Sequence, residues 1–223
     1  MVTPYSPVPY QFERLTEAEM TKRSSTFEAL LDQRRSVRFF SDDPVSKALI
    51  EAAIRTASSA PSGAHRQPWT FVAVSDLALK RQIRVAAEKE EYRSYVGGRM
   101  PEEWREALAP IGTDWRKPYL ETAPWIVVLF AQQYSFQSDG AKRKHYYVNE
   151  SCGIAAGMFI SAIHNMGLAT LTHTPSPMAF LSEILGRPKN EKPFILFPIG
   201  HPTPDCVVPT LNRKTLEEVS VFL

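Results

Sequence analysis

Between residues 151 and 182 the chain contains no Asp, Glu, Lys or Arg. Within this stretch Ile154, Met158, Phe159, Ile160, Ile163 and Met166 fall on every side of a helical wheel. A helix apolar all round is buried on all sides. Gly153, Gly157 and Ser161 recur along one ridge, where a second backbone can approach closely. Small-residue ridges also pack membrane helices. Here Asn149, Glu150, His164 and Asn165 crowd the ends, and no stretch is strongly apolar for the ~20 residues a span requires. In a chain of 223 residues, such a helix predicts that part of its cover comes from a second subunit. Gly167 supplies a left-handed C-cap, and residues 168–174 read as a strand.

Shorter patterns fill the rest. Residues 1–15 read as an extended arm. Thr16 with Glu19, and Ser25 with Glu28, stand at capping-box spacing. The second pair opens a short helix with Phe27, Leu30 and Leu31 on one face. Ser46 caps a helix that buries Leu49, Ile50, Ala53, Ile54 and Ala57, and residues 70–75 form a strand. Asp76 caps a long helix with Leu79, Ile83 and Ala87 inward. Gly97, Gly98 and Pro101 then interrupt a charged segment in which Trp104, Leu108, Trp115 and Tyr119 recur. That composition suits either a mobile lid over residues 88–121 or an ordinary surface helical hairpin. The unbroken apolar run Trp125–Gln132 reads as a central strand buried on both faces. Lys142, Arg143, Lys144 and His145 read as a solvated loop. A short helix over 178–185, closed by Gly186, a strand over 194–200 and a last strand over 218–223 complete the chain.

Composition narrows the classes. A net charge of +2 with 43% hydrophobic residues is ordinary for a soluble globular protein. It gives no reason to expect nucleic acid or an anionic membrane as partner. The length suits one domain, residues 1–223, with a full core. Cys152 sits in the buried helix, so a bridge to Cys206 is not expected and a reducing compartment fits. The first fifteen residues carry three prolines and no apolar core, unlike a signal peptide. There is no Gly-x-Gly-x-x-Gly after a strand and no Walker loop. The histidines (His65, His145, His164, His173 and His201) show no metal-ligand spacing.

Two stretches carry candidate chemistry. Arg34, Arg35 and Arg38 lie within five residues, and guanidinium forks match phosphate oxygens in a way that Lys does not. Ser36 adds a hydroxyl. A solvated basic turn at a helix C-terminus is the competing reading. Residues 58–69 form a loop of small residues bounded by prolines, in which Gly63 lets a backbone approach a ligand closely. Farther on, Glu91 and Tyr95 stand four apart and share a helix face.

The stretch RRSVRFF at residues 34–40, followed one helix later by APSGAHRQPWTFV at 60–72, resembles the FMN-dependent nitroreductase superfamily. Within it, the chain is similar to the iodotyrosine deiodinases from about Phe27 to the C-terminus. The resemblance implies an α+β fold, a mixed central sheet of four or five strands covered by helices, in an interlocked homodimer. It implies FMN as cofactor, with Arg34, Arg35, Ser36, Val37, Arg38 and Arg213 at the phosphate and ribityl end. Pro61, Ser62 and Gly63 would contact the flavin of the neighbouring subunit, and Ala64 would offer a backbone N–H to a substrate phenolate. Thr172, His173 and Thr174 would lie beside the ring, with the Thr174 hydroxyl as the catalytic contact. His173 stands where a third threonine is the family's pattern. Glu91, Tyr95 and Lys117 fall on the positions that grip the amino-acid end of a halotyrosine, and they separate the deiodinases from plain nitroreductases.

The implied activity is reductive dehalogenation of 3-iodo-L-tyrosine and related halotyrosines, with NAD(P)H or a reductase as electron donor. The alternatives are a broad NAD(P)H-dependent nitroreductase and a flavin-binding protein without turnover. The tail over 215–223 would reach the partner subunit. No membrane anchor is evident at the N-terminus, so a cytoplasmic location is expected.

Overall fold

The computed structural model describes residues 5–137 and 139–223. Residues 1–4 of the predicted arm lie outside the described residues, and 5–15 carry no helix or strand. The chain divides into two compact units, Met1–Arg34 and Arg35–Leu223. In the first, helix α1 (Glu17–Asp32) starts at Thr16, whose side chain accepts the Glu19 N–H at 3.3 Å. Once nucleated there, the helix propagates through Ser25 and Glu28, so this second capping pair is interior and starts nothing. No residue of α1 is buried.

The second unit holds helices α2 (Lys47–Ser58), α3 (Leu77–Tyr95), α4 (Glu102–Leu108), α5 (Tyr119–Thr122), α6 (Val148–Asn165), α7 (Ala179–Ile184) and α8 (Leu216–Val219). Its strands are β1 (Trp69–Val74), β2 (Trp125–Gln132), β3 (Tyr134–Phe136), β4 (Lys142–Lys144), β5 (Ala169–Thr170) and β6 (Glu191–Gly200). The main sheet has the order β1-β2-β6-β5 and antiparallel ladders. A parallel bridge between Ser36 and Thr170 supplies its mixed character.

Strand β2 organises the core. Val127, Leu129 and Ala131 face one cluster, with Ile50, Ala53 and Ala57 of α2 and Phe159 and Ile163 of α6. Ile126, Val128 and Phe130 face the other, with Ile83 and Ala87 of α3, Leu120 of α5 and Leu181 of α7. Period-two alternation sends successive residues to opposite faces. Because both faces are covered, the strand reads as one apolar run.

Helix α6 buries Ser151, Cys152, Ala155, Ala156, Phe159, Ala162 and Ile163, but Gly153, Ile154 and Gly157 are exposed. The all-round burial expected from its pattern is therefore absent within this chain. A Cβ added at Gly153 or Gly157 would meet no atom within 4 Å.

Other expectations need correction. Leu49 is 40% exposed, because it lies off the stripe Ile50–Ala53–Ala57 that meets the core. The basic run forms β4, an exposed strand paired with β3, and His145 is buried with Nδ1 3.0 Å from the Gln132 carbonyl. The strand predicted over 168–174 keeps only two ladder residues, then touches β6 once more, at His173 and Leu196. At the C-terminus, Thr215 and Glu218 close a reciprocal capping box, and the chain forms the turn α8 instead of a strand. Among the described residues, no helix is long and apolar enough to cross a membrane.

Candidate functional site

Asp76 starts α3 by accepting the Leu79 N–H at 2.8 Å, and this helix carries Glu88, Glu91 and Tyr95. Lys117 stands two residues before α5, and residues 171–176 leave the sheet beside β6. These elements enclose a hollow of about 140 Å³, lined by Arg38, Glu91, Tyr95, Lys117, Tyr119, Thr172, His173 and Thr174, with Met100, Trp104 and Leu108 also at its wall. The fold thus brings together the three residues predicted to grip a substrate and the three predicted beside a flavin ring.

Lys117 is 2% exposed. Its ammonium lies 3.6 Å from the Glu91 carboxylate and 3.0 Å from Thr113 Oγ1, donates to the Asp114 carbonyl, and sits 5.4 Å from the Tyr95 ring centre. Burial pushes the Lys117 pKa down, and the negative charge of Glu91 opposes it. Burial likewise pushes Glu91 up, and Lys117 opposes that. Each charge is tolerated in the hollow because the other is there. Tyr95 is also raised, by burial and then by Glu91.

His173 exchanges backbone hydrogen bonds with Leu196 at 2.8 and 3.0 Å. Its ring meets that of Tyr119 edge-on, with Nδ1 3.5 Å from the hydroxyl. Burial, with the positive charges of Lys117 and Arg38, holds its pKa down at about 3. It is therefore a neutral imidazole at ordinary pH. Its Nε2 and the Nε of Arg38 are buried without a hydrogen-bond partner in the chain. Leaving such an atom unpaired costs about 1–3 kcal/mol. Both residues line the hollow, so a polar ring edge placed there would complete them, and an isoalloxazine offers one.

A second hollow of about 260 Å³ is lined by Ser36, Arg38, Phe39, Pro110, Ile111, Gly112, Val207, Val208 and Pro209. Arg35 donates to the Pro209 carbonyl. Guanidinium and hydroxyl groups against apolar walls suit a phosphate on a polyol chain, and Arg38 lines both hollows. Val37 is buried, its N–H bonded to the Thr170 carbonyl at 3.2 Å. Arg34 ends the first unit, its N–H donating to the Leu31 carbonyl. Arg213 is exposed and lines neither hollow.

Pro61, Ser62, Gly63 and Ala64 also line neither. Their loop packs on the start of α6. The Gly63 N–H donates to Ser151 Oγ at 3.3 Å, and a Cβ on Gly63 would lie 2.7 Å from the Tyr146 carbonyl oxygen. Ala64, His65 and Gln67 adopt φ of 50°, 52° and 47°. Side-chain-bearing residues rarely hold such angles, and strain of this kind gathers where ligands are clamped.

Sequence reasoning missed Glu88, Thr113 and Asp114. Glu88 was findable, one turn before Glu91. Thr113 and Asp114 lie in a segment with no periodicity to mark them. Tyr119, read as a lid aromatic, is 5% exposed beneath His173.

The nitroreductase family profile matches residues 31–201. The chain is 52% identical over 214 residues to an iodotyrosine deiodinase of Haliscomenobacter hydrossis, covering 96% of each. It is 43% identical to human iodotyrosine deiodinase 1, covering 96% of this chain and 74% of the human one. A crystal structure of oxidized iodotyrosine deiodinase bound to FMN and 3-iodo-L-tyrosine superposes with a TM-score of 0.76 at 26% identity, covering 88% of this chain and all of that one. A BluB-like flavoprotein from Clostridium difficile shares the fold, at a TM-score of 0.66 and 21% identity.

Proposed function

The chain belongs to the nitroreductase family, among its iodotyrosine deiodinases, and we propose that the hollow between α3, Lys117 and residues 172–174 is where it performs that reaction. It is an FMN-dependent oxidoreductase that converts 3-iodo-L-tyrosine and related halotyrosines to tyrosine and halide. Two electrons and one proton replace the carbon–halogen bond by carbon–hydrogen. FMN supplies the electrons when bound, and these reach it from NAD(P)H or a reductase.

The chain's own groups bind and orient. Arg35, Ser36 and Arg38 hold the phosphate and ribityl end, with Arg34, Val37 and Arg213 assigned to the same end by sequence resemblance. Thr172, His173 and Thr174, which line the hollow, would lie beside the ring, with the Thr174 hydroxyl as its catalytic contact. Glu91 takes the substrate ammonium, Lys117 its carboxylate, and the Tyr95 hydroxyl bonds to either. Closure of the lid around this grip excludes water. The observation that carries this reading is the gathering of Glu91, Tyr95 and Lys117 with Thr174 in one hollow.

Pro61, Ser62, Gly63 and the Ala64 N–H act on the partner's site in a homodimer. Two features support this: their loop lines neither hollow of its own chain, and the adjoining α6 face is apolar and uncovered.

The test is iodotyrosine affinity, read by flavin fluorescence quenching, beside nitroarene turnover. Glu91→Gln removes a charged hydrogen bond of about 1.5–3 kcal/mol, so affinity should fall roughly 10- to 150-fold. Nitroarene reduction needs no zwitterion grip and should survive. Equal loss of both would place the damage at the flavin and sink the grip assignment.

A further inference from the structure

Three side chains on one face of α3 reach across to the segment that carries Lys117. Lys80, buried, donates to the Ala123 carbonyl at 2.8 Å. Arg84 donates to Glu121 at 3.0 Å and to Glu88 at 3.0 Å. Glu88 Oε1 accepts the backbone N–H of Lys117 at 2.7 Å. Positions 80, 84 and 88 are four apart, so they form one stripe. One turn beyond Glu88, Glu91 meets the Lys117 ammonium. Helix α3 therefore holds Lys117 at both ends, backbone through Glu88 and side chain through Glu91.

A lysine ammonium rides on a flexible four-carbon stem. Where it can be delivered depends on where its Cα is fixed. The Glu88 side chain is only 16% exposed, and its bond to Lys117 spans 29 residues of sequence, so it sets a tertiary distance that local geometry does not. In recognition, small misplacements are costly.

We propose that Glu88 is a positioning residue for substrate recognition: by pinning the Lys117 backbone to α3, it sets the place where the Lys117 ammonium meets the substrate carboxylate. The inference rests on the reading that Lys117 receives that carboxylate. It differs from an ordinary structural ion pair with Arg84 in what it requires of Glu88. Positioning needs a hydrogen-bond acceptor at full glutamate reach. Ion pairing needs the charge. Both bonds end on the same oxygen, Oε1, so a glutamine carbonyl can accept both without charge. Aspartate keeps the charge but falls short of Lys117.

The experiment uses the FMN-loaded enzyme and 3-iodo-L-tyrosine binding by flavin fluorescence quenching. Glu88→Asp and Glu88→Ala should weaken binding about tenfold, equivalent to about 1.4 kcal/mol, with flavin retained and nitroarene turnover unchanged. Glu88→Gln should stay within about twofold of the parent. In a Lys117→Met background, Glu88→Asp should have little further effect, because a residue acting through Lys117 has nothing left to act on. The reverse order, with Asp tolerated and Gln impaired, would overturn the proposal in favour of a structural pair. So would full additivity with Lys117→Met, or unchanged binding in Glu88→Asp. If Glu88→Ala does not fold, the Asp and Gln comparison still decides. Unchanged binding in Lys117→Met would instead overturn the carboxylate assignment, and this inference with it.

Discussion

His173 shows how one buried side chain ties acid stability to the site. Its pKa is held at about 3, against an ordinary 6.5. As pH falls below 6.5, the unfolded chain takes up a proton that the folded chain refuses. The stability linked to the neutral ring is complete above about pH 6.5, and it drains away towards pH 3 at up to about 1.4 kcal/mol per pH unit. A His173→Thr variant lacks this group, so its urea midpoint should fall less steeply between pH 6.5 and 4 than the parent's. Parallel curves would show that the imidazole is not buried neutral. At this scale the sequence marked neighbours wherever a motif stood in line: Ser36 and Arg38, from one heptapeptide, line one hollow, and Glu91 and Tyr95, from one helical face, line another. The Tyr119–His173 contact joins residues 54 apart, and no local pattern could announce it.

Among the elements, the junction of β1, β2 and β6 is fastened by a polar cluster at its end. Glu191 is 7% exposed and accepts two hydrogen bonds from Arg187, at 2.7 and 3.0 Å, and one from Thr70 at 2.7 Å. Gln132 completes the chain by donating to Thr70 at 2.8 Å. Breaking a buried pair by removing one partner costs about 3–5 kcal/mol. Arg187 keeps 26% exposure, so Glu191→Ala should cost about 3 kcal/mol, at the low end, in the free energy from urea unfolding. Iodotyrosine affinity should not change, since the cluster lines neither hollow. Element prediction succeeded where burial wrote a long pattern, as in β2, α3 and α6. It failed where short-range and tertiary preferences compete. The alternation over 218–223 lost to the Thr215 capping box, and the exposed run Lys142–Lys144 became a strand only because β3 lies alongside it.

At the scale of the whole molecule, the exposed flank of α6 at Gly153, Ile154 and Gly157 is where the proposed homodimer would pack. In the single chain a side chain at Gly157 has open space, so Gly157→Leu should leave the subunit folded. Against a second subunit packed on that ridge, the same change overfills the contact, at roughly 1–3 kcal/mol. Sedimentation should show dimer and flavin lost together while helical circular dichroism persists. A Gly157→Leu dimer that keeps its flavin would remove α6 from the interface. The sequence marked this helix by more apolarity than one chain covers, and Ile154 stays 46% exposed. The pairing of Lys117 with Glu91 has a consequence on the same scale. Under the proposed grip, the amino-acid end of an incoming halotyrosine would bring one charge of each sign to a pair that already holds one of each, so this end would exchange partners without burying net charge. Dissolved ions then have little to screen. Raising the salt from 0.1 M to 1 M shortens the Debye length from about 10 Å to about 3 Å. The amino-acid end should therefore add little salt dependence to the dissociation constant for iodotyrosine across that range, whereas a decarboxylated analogue, which brings an ammonium but no carboxylate for Lys117, should show a measurably different slope.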